Sequence, residues 1–263
     1  MPPPLKTGRT EKKDAKMKNR PTREAEAADQ EIKKPKHKRK DTGHKVPPPR
    51  SLAGRIIVSL SLALIHRKLN IVVEGRENIP KDLPYVIIAN HVTYIDALWI
   101  FDLLPPEHYA KTCAMIGADL QTDYGILGKL MFQAARAIPV ERKGSAGARS
   151  LITAKNALEA GNNILIHPEG TRSKNGRLGP FQSGSSYLST KYDAPVLPIY
   201  IKGGHAIWPP GQRFPSFTDP EGKKRELRLI IRPCLYGEDY PDAKAMTQDL
   251  QERFQAIQDE IGY

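Results

Sequence analysis

Two short stretches hold the residue types that could do chemistry. In IIANHVTYIDALWI, residues 87–100, His91 stands five residues before Asp96, where an apolar strand-like run turns polar. Imidazole is the side chain suited to proton exchange near neutrality. A carboxylate on one ring nitrogen fixes the tautomer and leaves the other free to take a substrate's proton. On a continuous helix the two residues would point about 140° apart, at ~100° per residue. They meet only if His91 lies in a turn and Asp96 in the first turn of the helix that follows. The helix N-terminus then opposes stray protonation of the ring, while Asp96 favours the imidazolium as it forms. By itself the pair also reads as a plain helix-cap contact.

The second stretch is HPEGTRS, residues 167–173, directly after the apolar run NILI. Pro168, Glu169 and Gly170 form a turn. Gly170 lets the backbone come close to a ligand, and Arg172 offers a planar fork suited to phosphate. Arg142, closing the separate strand-like segment AIPVER, supplies a second cation. Two arginines converging on one cleft point to an anionic substrate group; solvent-facing strand-end charges are the plain alternative. GPFQSG (179–184) and APVLP (194–198) are further landmarks of the same kind. The chain has no P-loop, G-x-G-x-x-G, H-E-x-x-H, C-x-x-C or G-x-S-x-G, which sets aside the chemistries those motifs carry. Cys113 and Cys234 are far apart without metal or redox spacing, so a reducing compartment and a fold free of disulfides are expected.

Positioning such residues requires a scaffold, and the chain divides into three parts. Residues 1–50 carry a net +9 of the whole chain's +12, hold 8 of its 23 prolines and have almost no large apolar side chains. They read as a disordered basic tail without a secretory signal. Its KHKRK core serves as a solvated tether, as a contact for anionic lipid, or as a nucleic-acid or nuclear-import contact, the last disfavoured by the lack of interleaved aromatic residues. Residues 51–69 form an apolar segment whose uncharged core, Ile56 to Ile65, is too short to span a bilayer. A helix lying in the interface fits it, though the alternation in VSLSLAL leaves a strand open and a first core element is a third reading. From residue 70 to 263 strand-like segments (NIVVEG, YVIIAN, YAKTCAMIGAD, AIPVER, NILIH, VLPIYIKG, LRLIIRP) alternate with helix-like ones. Met246, Leu250, Phe254, Ile257 and Ile261 mark a docked amphipathic C-terminal helix. This pattern predicts a single α/β domain, a mostly parallel sheet flanked by helices, with the landmarks gathered at one sheet edge.

Taken together the landmarks resemble the glycerolipid acyltransferases, typified by 1-acylglycerol-3-phosphate acyltransferase. That family's N-H-x-x-x-x-D is matched by Asn90 to Asp96, and its P-E-G-T-R-S by Pro168 to Ser173. Gly176, Pro180, Phe181 and Gly184 match the tail behind it, and Pro195 to Pro198 echo the fourth motif. The resemblance runs from about Val73 to Pro233. The second motif, G-x-x-F-[IV]-x-R, departs: Arg136 stands for the glycine and Pro139 for the phenylalanine, while Arg142 is kept. Gln182 also stands at a commonly basic position, and these changes bear on acceptor identity.

The resemblance implies direct transfer of a long acyl chain from acyl-CoA or acyl-carrier protein to the free hydroxyl of a lysophospholipid, with no acyl-enzyme and no metal or redox cofactor. His91 is the implied base and Asp96 its orienting carboxylate. Arg142 and Arg172 face the acceptor phosphate, Glu169 with the Gly170–Thr171 backbone shapes the glycerol site, and Lys111 is the candidate donor to the oxyanion. The most direct acceptor is 1-acylglycerol-3-phosphate, giving phosphatidic acid. Other acceptors are a lyso-aminolipid, a glycosylated lysolipid or glycerol phosphate. From a different class comes a catalytically idle domain that tethers to membranes or nucleic acid through residues 1–50. Substrates with long acyl chains imply a monotopic or peripheral protein at the cytoplasmic face of a membrane, with no nucleic-acid partner.

Overall fold

The computed structural model describes residues 45–120, 125–140 and 146–263. The tail expectation for residues 1–44 lies outside them, as does Arg142. Seven strands form one sheet: β1 (Asn70–Glu74), β2 (Val86–Ala89), β3 (Thr112–Gly117), β4 (Ile138–Val140), β5 (Asn163–Ile166), β6 (Val196–Lys202) and β7 (Glu226–Ile231), in the spatial order β1-β7-β6-β2-β5-β3-β4. Every pairing is parallel except β6 with β7. The short edge strand β4 accommodates Pro139, whose missing N–H would be costly at the sheet centre.

Alternation of side chains along the central strands builds two cores. Ile87, Ala89 and Leu165 face one layer, and Val86, Ile88, Ile164 and Ile166 face the other. The first layer is covered by α1 (Leu52–Lys68), α2 (Asp96–Leu103) and α4 (Gly125–Ala135), with Trp99, Ile100, Phe101 and Leu103 of α2 buried in it. The second is covered by α5 (Ala146–Glu159), α6 (Gly184–Tyr192) and α8 (Ala243–Ile261), through Ala154, Leu158, Leu188 and the expected stripe Met246, Leu250, Phe254 and Ile257. The described residues also form the short helices α3 (Pro106–Lys111) and α7 (Gly204–Ile207). This is the α/β architecture expected.

One open reading resolves, and two local expectations need correction. The open question over residues 51–69 resolves as helix, because Ser51 caps it with a 3.1 Å bond from Gly54 N–H to its hydroxyl. Only Gly54, Val58 and Ile65 of α1 are buried, while Leu52, Ile56, Ile57, Leu60 and Leu64 face outward. First, Tyr109–Lys111 are helical rather than part of the strand, since Pro106 at the helix start presets φ for a further turn.

Second, residues 46–50 do not belong to the tail. Val46 packs on the second core, and Arg50 is buried with its guanidinium bonded to the carbonyls of Ala134, Tyr109 and Thr112. It also lies 4.1 Å from the Tyr109 ring centre and 4.7 Å from that of Phe101. Arg136 grips the same segment from the other side, donating to the carbonyls of Pro47, Pro48 and Ala110 and to Asn162 Oδ1 at 2.9–3.1 Å. Among the described residues neither arginine has a carboxylate partner. Carbonyls near the C-terminal ends of α3 and α4 supply the compensating negative potential.

Candidate active site

Strands β2 and β5 lie side by side in parallel, and their carboxyl ends send the chain to opposite layers. After β2 it turns to α2 over the first core, and after β5 to α6 over the second. Divergence of neighbouring strands opens a crevice at their carboxyl ends. His91 lies two residues beyond β2, and His167 follows β5 directly.

The expected turn geometry holds. His91 Nδ1 is 2.8 Å from Asp96 Oδ2. Asp96 opens α2, is wholly buried, and also accepts the Val92 N–H (2.7 Å), the Thr93 N–H (2.9 Å) and the Thr93 hydroxyl (2.6 Å). Burial alone would raise its pKa, but the hydrogen bond and charge of His91, with His167 and Thr93 behind them, outweigh burial and hold the carboxyl below its ordinary range. An acceptor-only carboxylate keeps the ring proton of His91 on Nδ1, so Nε2 presents a bare lone pair. The His91 side chain is 23% exposed, enough for a substrate to reach it.

The HPEGTRS loop grips His91 from the other side of the crevice. Glu169 accepts the His91 N–H through Oε1 and the Gly179 N–H through Oε2, both at 2.8 Å, and the Ser173 N–H donates to the His91 carbonyl at 2.7 Å. Burial raises the Glu169 pKa, against the lowering effect of those two N–H bonds. Through one bond on each oxygen, Glu169 is a strut between the two motif loops. Gly170 takes φ +67° to make the turn, and Thr171 beside it is exposed. Asn90 ties the end of β2 to Ile201 through both side-chain atoms, at 2.9 and 2.7 Å.

Arg172 reaches across to the first motif. Its guanidinium carbon lies 3.4 Å from the Tyr94 ring centre, and Nη2 donates to the Tyr94 hydroxyl at 2.7 Å. Among the described residues, Nη1 is buried without a hydrogen-bond partner. An unpaired guanidinium N–H on the HPEGTRS loop is what a phosphate or carboxylate oxygen would satisfy.

Lys111 is not part of this arrangement. It closes α3 and is exposed, one residue before Thr112, which pairs with Asn163 at the amino end of β5. His167 is four residues further along that strand, about 13 Å away at ~3.3 Å per residue. The oxyanion role assigned to Lys111 is therefore withdrawn. Arg136 lies at the same far edge, so the departure of the second motif there is a fold anchor and not a change at the crevice.

Several contributors were not singled out from the sequence. His167 stacks on His91 with ring centres 4.1 Å apart and planes at 10°, while its Nδ1 bonds the Ala89 carbonyl at 2.9 Å. Its position directly at a strand end, like that of His91, was the available signal. With Asp96 the two histidines bring three metal-ligating groups within 4.8 Å of one another. The stacked rings do not aim their in-plane lone pairs at a common point, as a metal bound at about 2.0–2.1 Å requires, and both Nδ1 atoms are already engaged. From α8, Gln251 bonds the N–H of Phe181 and the carbonyl of Gly179, and Gln258 bonds the Leu178 N–H. Gly176 must be glycine, with φ +84° and a would-be Cβ 2.2 Å from the Tyr263 ring. Residues 70 to 80 positions apart carry no local signature of such contacts.

A family model described as Acyltransferase matches residues 70–202, half of the chain. The chain belongs to this family. The mouse 1-acyl-sn-glycerol-3-phosphate acyltransferase alpha is 29% identical over 208 residues, 77% of this chain and 70% of that protein. A chloroplastic 1-acyl-sn-glycerol-3-phosphate acyltransferase of Brassica napus is 30% identical over 169 residues, 63% of this chain and 45% of that protein. The chain thus spans under half the length of the plant relative. Among solved structures, the 1-acyl-sn-glycerophosphate acyltransferase PlsC from Thermotoga maritima superposes with a TM-score of 0.64 at 22% identity, over 79% of each chain, and shares the fold of this acyltransferase.

Proposed function

We propose that this acyltransferase moves an acyl chain from a thioester, acyl-CoA or acyl-carrier protein, to the free hydroxyl of 1-acylglycerol-3-phosphate, giving phosphatidic acid. The observation that carries the reading is the His91–Asp96 pair, with Nδ1 committed to a buried carboxylate and Nε2 bare at a crevice mouth. In the proposed reaction His91 Nε2 takes the acceptor's hydroxyl proton as that oxygen attacks the thioester carbonyl. The carbon–sulfur bond then breaks, and the imidazolium returns its proton to the departing thiolate. Asp96 stabilises the imidazolium between those steps. The unpaired Nη1 of Arg172 supports an anionic headgroup on the acceptor, and the relatives' names favour 1-acylglycerol-3-phosphate over other acceptors.

Membrane association belongs to the same proposal. Among the described residues no helix is long and apolar enough to cross a bilayer. The outward Leu52, Ile56, Ile57, Leu60 and Leu64 of α1, with Arg55, Arg67 and Lys68 around them, suit a helix lying in the headgroup region. The cytoplasmic face remains part of the proposal.

The test is transfer from labelled long-chain acyl-CoA to a panel of lysophospholipids and glycerol phosphate, repeated with acyl-carrier protein as donor. Wild type is expected to acylate 1-acylglycerol-3-phosphate, and a folded His91→Ala variant to lose at least 10³-fold in kcat, the scale of general-base catalysis. Turnover on another acceptor alone would keep the chemistry and move the substrate. Substantial residual turnover by His91→Ala would refute the base assignment.

A further inference from the structure

The stacked histidine is left unexplained by the reaction as drawn. Nothing in the proton transfer requires an imidazole at position 167, yet the two rings lie 10° from parallel with centres 4.1 Å apart. The Ala89 carbonyl can only accept, so His167 carries its proton on Nδ1, and that 2.9 Å bond pins the ring to the end of β2. Burial, with the charge of His91 next, lowers the His167 pKa to about 4, so its ring is neutral wherever the base must work. The ring is thus an uncharged aromatic plane, fixed by the backbone and laid flat on the base.

We propose that His167 is a positioning residue for His91: its face fixes the plane of the base and attracts the positive charge that ring acquires when it takes the acceptor's proton. Asp96 approaches the base edge-on, in the ring plane, and corrects rotation about one hydrogen bond. A stacked plane corrects the remaining freedom, tilt out of that plane. The attraction of a cation to an aromatic face grows as the ring gains charge, so it is larger in the transition state than before it. The inference rests on the base assignment made above and adds a residue to it.

Two variants separate the aromatic plane from the hydrogen bond. His167→Phe keeps a flat ring and loses the bond to Ala89, while His167→Leu loses both at similar volume. In the panel assay His167→Phe is expected within about twofold of wild-type kcat. His167→Leu is expected to lose about tenfold in kcat with KM for both substrates unchanged. Equal kcat in wild type and a folded His167→Leu would overturn the proposal. Equal loss in both variants would assign the role to the Ala89 bond and overturn it as well.

A readout independent of acyl transfer is the rate at which diethyl pyrocarbonate modifies His91, followed by peptide mass. Attack by the imidazole places the same positive charge on the ring, so His167→Leu should slow it and His167→Phe should not. If no acceptor is acylated by wild type, the functional reading fails while this rate still decides the stack: unchanged modification of His91 in His167→Leu would overturn the inference.

Discussion

His167 also has a thermodynamic signature. A group whose folded pKa lies below its unfolded value binds fewer protons in the folded state, so stability rises with pH between the two values. For His167 that window runs from about 4 to the ordinary histidine value near 6.5. Stability from this group is fully present above about 6.5 and is lost as pH falls toward 4. Asp96, lowered, loses its contribution at still more acid pH, and Glu169, raised, acts in the opposite sense. We expect the melting temperature of wild type to fall more between pH 6.5 and 4 than that of His167→Phe, measured by circular dichroism. Parallel curves would contradict the neutral assignment.

At this scale the sequence disclosed His91 and Asp96 because their five-residue spacing at a strand-to-helix boundary allows one closure. The stack of His91 on His167, and the struts at Glu169, were illegible: each depends on two loops meeting across a crevice. The role of Lys111 came from the resemblance alone, and its place before β3 puts it at the amino end of a parallel strand, opposite the crevice.

At the scale of elements, the alternation of strands and helices was readable from apolar runs and their stops, as was the stripe of α8. The antiparallel partnership of β6 and β7 was not, since a strand's own pattern does not encode its direction relative to a neighbour. Nor was the clamp on residues 46–50, which joins Arg50 to backbone carbonyls and Pro47 and Pro48 to the Arg136 side chain, 59 to 89 positions away. Arg136 has φ +49°, a conformation a glycine would hold more easily. Its guanidinium nonetheless satisfies four acceptors. Arg136→Gly should therefore destabilise the fold by about 2–3 kcal/mol, the relief of backbone strain offsetting only part of the lost bonds. Denaturant titration checks the first number. Turnover of the folded variant on detergent-dispersed substrate should stay within about twofold, because the clamp and the crevice occupy opposite edges of the sheet. A selective loss of acceptor affinity would restore Arg136 to the site.

At the scale of the molecule, the outward face of α1 is an apolar patch on a protein whose proposed substrates reside in membranes. Replacing Leu60 and Leu64, the first 67% and the second 50% exposed, by glutamate removes apolar area and adds charge repelled by anionic lipid. We expect the double variant to lose about tenfold or more in sedimentation with anionic vesicles, with turnover on detergent-dispersed substrate retained. Binding that persists in the double variant but is abolished by salt would transfer the anchoring role to the basic residues 1–50.

The grip of α8 on the loop that carries HPEGTRS and GPFQSG has a consequence in time. Phe181 and Gln251 are 70 positions apart. At translation rates of about 5–20 residues per second, that gap takes roughly 4–14 s to synthesise. Throughout that interval the loop bearing Glu169 and Arg172 lacks its brace, whereas α1 was made long before. On the proposed reading, the nascent chain would therefore offer its apolar helix to a bilayer first and complete the proposed proton-transfer apparatus afterwards, an order that would place the enzyme beside lipid before it could act.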